Sequence, residues 1–399
     1  MATVNNRSGA ARRPRQLTDY VYDPKARGIF FQLVALAVIV WGGYEIVSNT
    51  IRNLEAQGIA SGFGFLQRVA GFDISQSLIS YNNTMTYARA FLVGLLNTLL
   101  VAGVGIVAAT LIGFIVGAAR VSRNWLIAKL ATAYIEVLRN VPLLLMLFAV
   151  YFGVLKNLPA PRDSLALPFS SYLNVRGLYV PAAIWQPGLE VVMAAAVIGL
   201  LGLLALWRWA RLRHMRTGHP TPTLLPGLAL FPGLPVAAFV LMGMPLSFDV
   251  PVQGRFNLSG GVVVLPEFVA LITGLTLYTA AFIGENVRAG IQGIPKGQRE
   301  AAAALGLSEG QVLWLVVLPQ AMRIIIPPLT NQYLNLTKNS SLAVAIGYPD
   351  LVSVAGTMLN QTNQAIEVIL ITMAVYLVLS LLTSLFMNWF NRRMALVER

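Results

Sequence analysis

The feature that most constrains this chain is a series of eight long apolar runs, near residues 28–47, 90–118, 132–155, 189–208, 223–245, 267–288, 324–347 and 366–390. Each comes close to the ~20 residues that an α-helix needs to cross the hydrocarbon core of a bilayer. In lipid a spanning segment must satisfy its own backbone hydrogen bonds, and a helix does so within one segment. The expected fold is therefore an all-α membrane protein of about eight transmembrane helices. Hydrophobic residues make up 56% of the chain and charged residues only 11%, against roughly 25% charged in a soluble domain. Pro226, Pro232 and Pro235 interrupt the fifth run, and Pro327 and Pro328 open the seventh. The first run follows a basic arm, residues 1–27. It reads as a retained helix, because it is long and no small-residue cleavage site follows it.

Charge placement gives an orientation. With the N-terminus in the cytoplasm, most of the 29 Lys and Arg fall on that side. They lie in the arm, after the second run (Arg120, Arg123, Lys129), after the fourth (Arg208 to Arg216), around Arg288 to Arg323, and in the tail, residues 391–399. The positive-inside rule then puts both termini in the cytoplasm, and accounts for the net charge of +13 without nucleic acid. The intervening stretches 48–88, 156–188 and 246–266 face outward. The last of these carries Val250, Pro251, Gly260, Gly261 and Val262, and is expected to form a short hairpin. Gly113 and Gly117 form a GxxxG pair suited to close helix contact.

Several chemistries drop out. Without cysteine there is no disulfide and no thiolate site. His214 and His219 read as residues of one basic loop, with nothing nearby to complete a metal site. No Ser/His/Asp set appears, so no catalytic residue and no metal ligand is assigned, and the chain is not expected to be an enzyme. A GxxxxGK[ST] phosphate loop is also missing, so ATP chemistry would have to sit on another chain.

One polar segment stands out between the sixth and seventh runs. Glu300 to Leu305 are strong helix formers, and Gly306 can take the left-handed conformation that closes a helix. Ser308 and Gln311 form a capping box that starts a second helix, Leu307 and Val312 occupy the staple positions, and Pro319 is expected to limit that helix. Charge placement makes this hairpin, residues 296–320, cytoplasmic. Its Glu300, Ala301, Ala302, Gly306, Val316, Leu318 and Pro319 resemble the EAA loop of binding-protein-dependent ABC importers, in which Val316 replaces the usual isoleucine. The flanking segments YTAAFIGENVRAGIQGIPKGQR (278–299), YIEVLRNVPLLLMLFAVYFG (134–153) and IPPLTNQYLNLTKNSSLAVA (326–345) are similar to the motifs of polar-amino-acid permeases. Two departures are Asn140-Val141 for Gly-Thr and Asn339-Ser340 for Asp-Thr.

The resemblance implies a five-helix type I ABC importer permease core, residues 90–155 and 267–390. It leaves three extra helices: the first, within 28–89, and two within 156–266. Those extra helices and the length make the chain similar to a permease subunit of the general L-amino-acid importers of Gram-negative bacteria. That family implies several partners: cytoplasmic ATPase subunits carrying ATP and Mg, a second related permease, a periplasmic binding protein and a polar L-amino acid. The coupling residues it implies are Glu300, Ala301, Ala302, Gly306, Leu307 and Pro319.

Charges inside the spans give candidates for the path. Glu136 with Arg139, and Glu285 with Arg288, are spaced i,i+3 and can form helix-end ion pairs. Ionisable residues in spans usually face a cavity or a partner, so Glu285 and Asn286 are also candidates for the inner part of a pathway. Lys338 is expected near mid-membrane, with Asn335, Asn339 and Ser340 around it. Either this cluster meets a substrate carboxylate or gates the path, or Lys338 is a structural lysine bonded to carbonyls. From another class, an ion-gradient-driven secondary amino-acid transporter would fit eight helices but not a capped cytoplasmic hairpin. A channel or scaffold would call for polar pore-lining stripes instead.

Overall fold

The computed structural model describes residues 24–56, 62–219, 221–254 and 257–394. The first helix, α1 (Pro24–Ala56), has none of its apolar window buried. Helix α2 (Tyr87–Arg120) is capped by Thr86, whose hydroxyl accepts from the Arg89 N–H. Helix α3 (Trp125–Asn140) is capped by Asn124. The apolar run at 132–155 is not one straight span. After α3 the chain turns by 109° into α4 (Leu143–Phe148), which continues as π and 3-10 turns to Asn157. Pro142 is the cause: it has no N–H to donate and forces Val141 into an extended conformation (φ −97°, ψ 133°). Counting the bent pair as one, the described residues hold up to eight candidate spans.

A β cap follows. Strands β1 (Leu165–Leu167), β2 (Ser171–Asn174), β3 (Gly177–Val180) and β4 (Ala182–Trp185) precede α5 (Leu189–Thr217). Next come α6 (Leu224–Leu228), a π turn at Ala229–Gly233 around Pro232, and α7 (Leu234–Leu241). Strands β5 (Leu246–Asp249), β6 (Val252–Gln253), β7 (Leu258–Ser259) and β8 (Val262–Val264) complete the cap. The hairpin expected at 246–266 exists as β6–β7, with Val252 opposite Ser259. The other two strands pair across the chain instead, β5 with β4 and β8 with β3, in a sheet of order β1-β2-β3-β8. These pairings tie the stretch 156–188 to 246–266.

Helix α8 (Pro266–Gln292) returns across the membrane to the polar hairpin, formed by α9 (Lys296–Ala304) and α10 (Glu309–Gln311). Then α11 (Leu318–Asn339) runs back away from the hairpin, a 3-10 segment leads to α12 (Leu351–Thr362), and α13 (Ala365–Met394) ends the described chain.

Packing centres on α2 against α8. A Cβ at Gly117 would lie 2.5 Å from Val287 Cβ and 2.6 Å from the Gly284 carbonyl, and one at Gly113 would lie 2.6 Å from Ile283 Cβ. The GxxxG pair is thus the place where the two backbones meet. Around it Ala280, Ile283, Val287, Ala321, Ile325 and Leu336 form one buried cluster shared by α2, α8 and α11. A second cluster, with Leu147, Tyr151, Leu271, Leu275 and Tyr348, fastens α4 to α8. The segment 62–86 packs on the end of this core away from the polar hairpin: Phe65 and Ala70 bury against Tyr87, Val354 and Met358. Helices α5 and α7 pack mainly on one another, with Gly199 placed against the Leu230 carbonyl.

Candidate functional site

The polar hairpin is closed at both ends of its turn. Gly306 sits at φ 81°; its N–H donates to the Ala303 carbonyl (2.9 Å) and that of Leu307 to Ala302 (3.3 Å). This is the two-bond pattern by which a left-handed residue satisfies the last carbonyls of a helix. The Ser308 N–H donates to Gln311 Oε1 at 2.9 Å, as the capping box requires. Ala302 is buried in the cluster that also takes in Leu307, Val312 and Val317, while Glu300 and Ala301 point outward. Arg299 Nη2 donates to the Ile291 carbonyl at 2.8 Å, fixing α9 to the end of α8. Arg123, after α2, pairs with Glu309 at 2.5 Å. A cavity of about 350 Å³ opens here, lined by Arg123, Arg299, Glu300, Leu307, Val312 and Leu313.

Pro319 does not end the second helix. From Glu309 the helix runs unbroken to Ile346, 38 residues. A π turn at Val312–Val317 widens the backbone just before Pro319, which lies in the first turn of α11. Such a turn changes which carbonyls need donors, so the missing N–H of the proline interrupts nothing. The tip also exposes residues that the sequence motif does not include: Leu305 (83% exposed), Trp314 and Leu315. Their signal lay in periodicity, since burying Val312 and Val317 turns 313–315 outward.

The charged residues nearby rearrange the expected pairs. Glu285 and Arg288 do pair, at 2.5 Å. Glu136 does not bond Arg139; it accepts from Arg120 at 2.9 Å. Arg120 also contacts Glu285, so one guanidinium at the end of α2 joins α3 and α8. Arg139 instead lies over the Phe282 ring, 5.4 Å from its centroid. The physical reason is burial: Arg120 is only 15% exposed, and a guanidinium with several fixed donors is satisfied there by two carboxylates. Sequence spacing along one helix could not reveal a partner on another.

The remaining candidates divide. Lys338 lies at mid-depth, since its neighbour Leu336 packs on Gly105 halfway along α2. It is exposed, as is Asn335, whereas Asn339 is half-buried. Ser340 is buried and donates to the Thr337 carbonyl at 2.8 Å, so it does not join a cluster with Lys338. In its place Asn331 is exposed, and Asn331, Asn335 and Lys338 form an open polar stripe at i, i+4, i+7. Glu285 and Asn286 belong to a different level: Glu285 is about 10 Å from the hairpin end of α8 at 1.5 Å per residue, while Lys338 is about 30 Å along α11. The Asn286 amide nitrogen is buried without a hydrogen-bond partner. No group of His, Cys, Asp and Glu suited to a metal occurs among the described residues.

Comparison with known proteins adds three relatives and one family. Residues 109–396 match the family described as binding-protein-dependent transport system inner membrane component. The general L-amino acid transport system permease protein AapQ of Rhizobium johnstonii is 58% identical over 379 residues, 95% of each chain. The putative amino-acid ABC transporter permease protein YhdX of Escherichia coli K12 is 50% identical, covering 94% of this chain and 96% of its own. The glutamate/glutamine/aspartate/asparagine transport system permease protein BztB of Rhodobacter capsulatus is 39% identical over 96% of this chain and 97% of its own.

Proposed function

Because the chain belongs to the binding-protein-dependent transport system inner membrane components, we propose that it is the permease subunit of an ATP-driven importer for polar L-amino acids. A periplasmic binding protein delivers the amino acid to the outer face. ATP and Mg are handled by cytoplasmic ATPase subunits, which grip the hairpin, and both termini lie in the cytoplasm. A second, related permease completes the path against α11.

The observation that carries this reading is the helix Glu309–Ile346, which starts directly after the gripping turn and carries the open stripe Asn331, Asn335, Lys338 at mid-depth. Polar and charged groups at that depth are costly against lipid, so the stripe requires either a water-filled path or a protein partner. A continuous helix moves as a unit, so displacement at the hairpin reaches the stripe, where a flexible loop would absorb it. Glu300, Ala301, Gly306 and Leu307 form the grip, and Ala302 seats α9 on the core. Arg120, Glu136, Glu285 and Arg288 hold α2, α3 and α8 together beside the hairpin.

The test is Lys338→Met in the complete transporter. Assembly and basal ATPase rate should stay normal while amino-acid uptake falls at least tenfold, about 1.4 kcal/mol of lost interaction. Unchanged uptake would remove Lys338 and the stripe from the path.

A further inference from the structure

The end of α5 carries a charge cluster that translocation leaves unused. Arg208, Arg211, Arg213 and Arg216 lie within its last turns with His214, and all are exposed. No Asp or Glu occurs between Glu190 and Asp249. Among the described residues none of the four arginines has a carboxylate partner, while Arg213 lies 5.3 Å from the Trp209 ring centroid. His214 belongs to the helix, which runs on to Thr217 and closes at Gly218 (φ 71°); only His219 is in the loop.

A cavity of about 280 Å³ opens at this end, between α5 and the start of α6, lined by Trp207, Ala210, His214, Thr221 and Thr223. Trp207, Ala210 and His214 share one helix face, and Arg211 falls one turn from Trp207 on the same side. Beside the arginines the cavity therefore offers an imidazole, an indole N–H and two threonine hydroxyls. Positive-inside bias explains the arginines, but not these further polar groups gathered around a cavity.

Position adds a second constraint. Both α5 and α8 start at the β cap, so the end of α5 emerges on the membrane face that carries the hairpin. Trp207 and Trp209 follow the apolar part of α5, at the level where tryptophan meets headgroups. The α5–α7 hairpin packs mainly on itself, and its flanks expose Val197, Leu201, Leu204 and Val236, an acyl-chain surface next to the cavity. We infer that Trp207, Arg211, His214, Thr221 and Thr223 bind the phosphate headgroup of an anionic phospholipid. Basic pockets between helices on this membrane face suit such headgroups, and arginine matches a phosphate's oxygens in two directions at once.

The experiment is native mass spectrometry of the assembled transporter, titrated with phosphatidylglycerol or phosphatidylcholine. The variant pair Arg211→Gln with Thr223→Val is compared with Arg392→Gln with Arg393→Gln. The second pair removes two charges from the same membrane face, where Arg393 stacks on Trp389 at 5.5 Å. The expected result is about a tenfold loss of phosphatidylglycerol retention in the first pair alone, with phosphatidylcholine unaffected. An equal loss in both pairs would reduce the effect to unspecific surface charge and overturn the site, as would no loss in either. Displacement of the lipid by excess inorganic phosphate would also overturn it, by making the ligand a free anion.

Discussion

The helices that build the core and those that surround it overlap in apolarity, yet they bury very different shares of it. Helix α8 buries 56% of its most apolar window, α1 none and α5 only 11%. In lipid, apolarity gives no drive for one helix to prefer another, so association rests on close packing and polar contacts. Core helices supply both: Gly113 and Gly117 admit Ile283 and Val287 to within atomic contact, and Arg120 holds two carboxylates from neighbouring helices. Nothing lies within 4 Å of a Cβ built at Gly42 or Gly43 of α1. What separates the moving machine from its surroundings is therefore the small and charged positions, not hydrophobicity.

This contrast breaks most visibly at Gly117. A Gly117→Leu side chain would overlap Val287 and the Gly284 backbone, and overpacking of that kind costs about 1–3 kcal/mol or more. The variant should lose most of its monodisperse, assembled protein in size-exclusion chromatography. A stable, assembled Gly117→Leu protein would show that α2 and α8 do not meet as described.

Removing the charge that joins three helices should come next. Arg120→Met leaves Glu285 and Glu136 without their shared partner and should destabilise the bundle by about 1–3 kcal/mol, the lower end allowing for the 56% exposure of Glu136. Arg120→Lys should restore part of that loss, since one ammonium can meet one carboxylate well but not two. Thermal unfolding in detergent measures both. Equal destabilisation in the Lys and Met variants would mean that packing, not the ion network, is at work.

Leu305→Asp sharpens the comparison at the hairpin. The side chain is exposed and contributes little to the fold, so stability should hold while affinity for the ATPase subunit falls on the order of tenfold, as for an anchor residue in an interface. Surface plasmon resonance with the ATPase subunit reads this out directly. The smallest effect belongs to α1: Gly42→Leu should change stability by no more than about 0.5 kcal/mol. A large loss there would show that α1 packs on a partner within the assembly.

Much of this was legible in the sequence. The apolar runs locate the spans, and the hairpin's caps at Gly306 and Ser308 follow from local chemistry that acts over a few residues. Three things were not legible. The pairing of β3 with β8 joins residues about 80 positions apart and leaves no local trace. Arg120 finds Glu136 and Glu285 across helices, so the i,i+3 spacing of Glu136 and Arg139 pointed to the wrong partner. The π turn before Pro319 turns an apparent stop into a continuous helix. The bend at Pro142 differs, because a proline inside an apolar run was a visible signal for it.

The central claim is that ATP chemistry on another chain moves these helices through the hairpin. It is tested most directly by amino-acid uptake into proteoliposomes holding the permeases and ATPase, with the binding protein outside. The account expects uptake that requires ATP and the ATPase and stops when either is withheld. Uptake that persists without ATP, driven by an ion gradient alone, would contradict it.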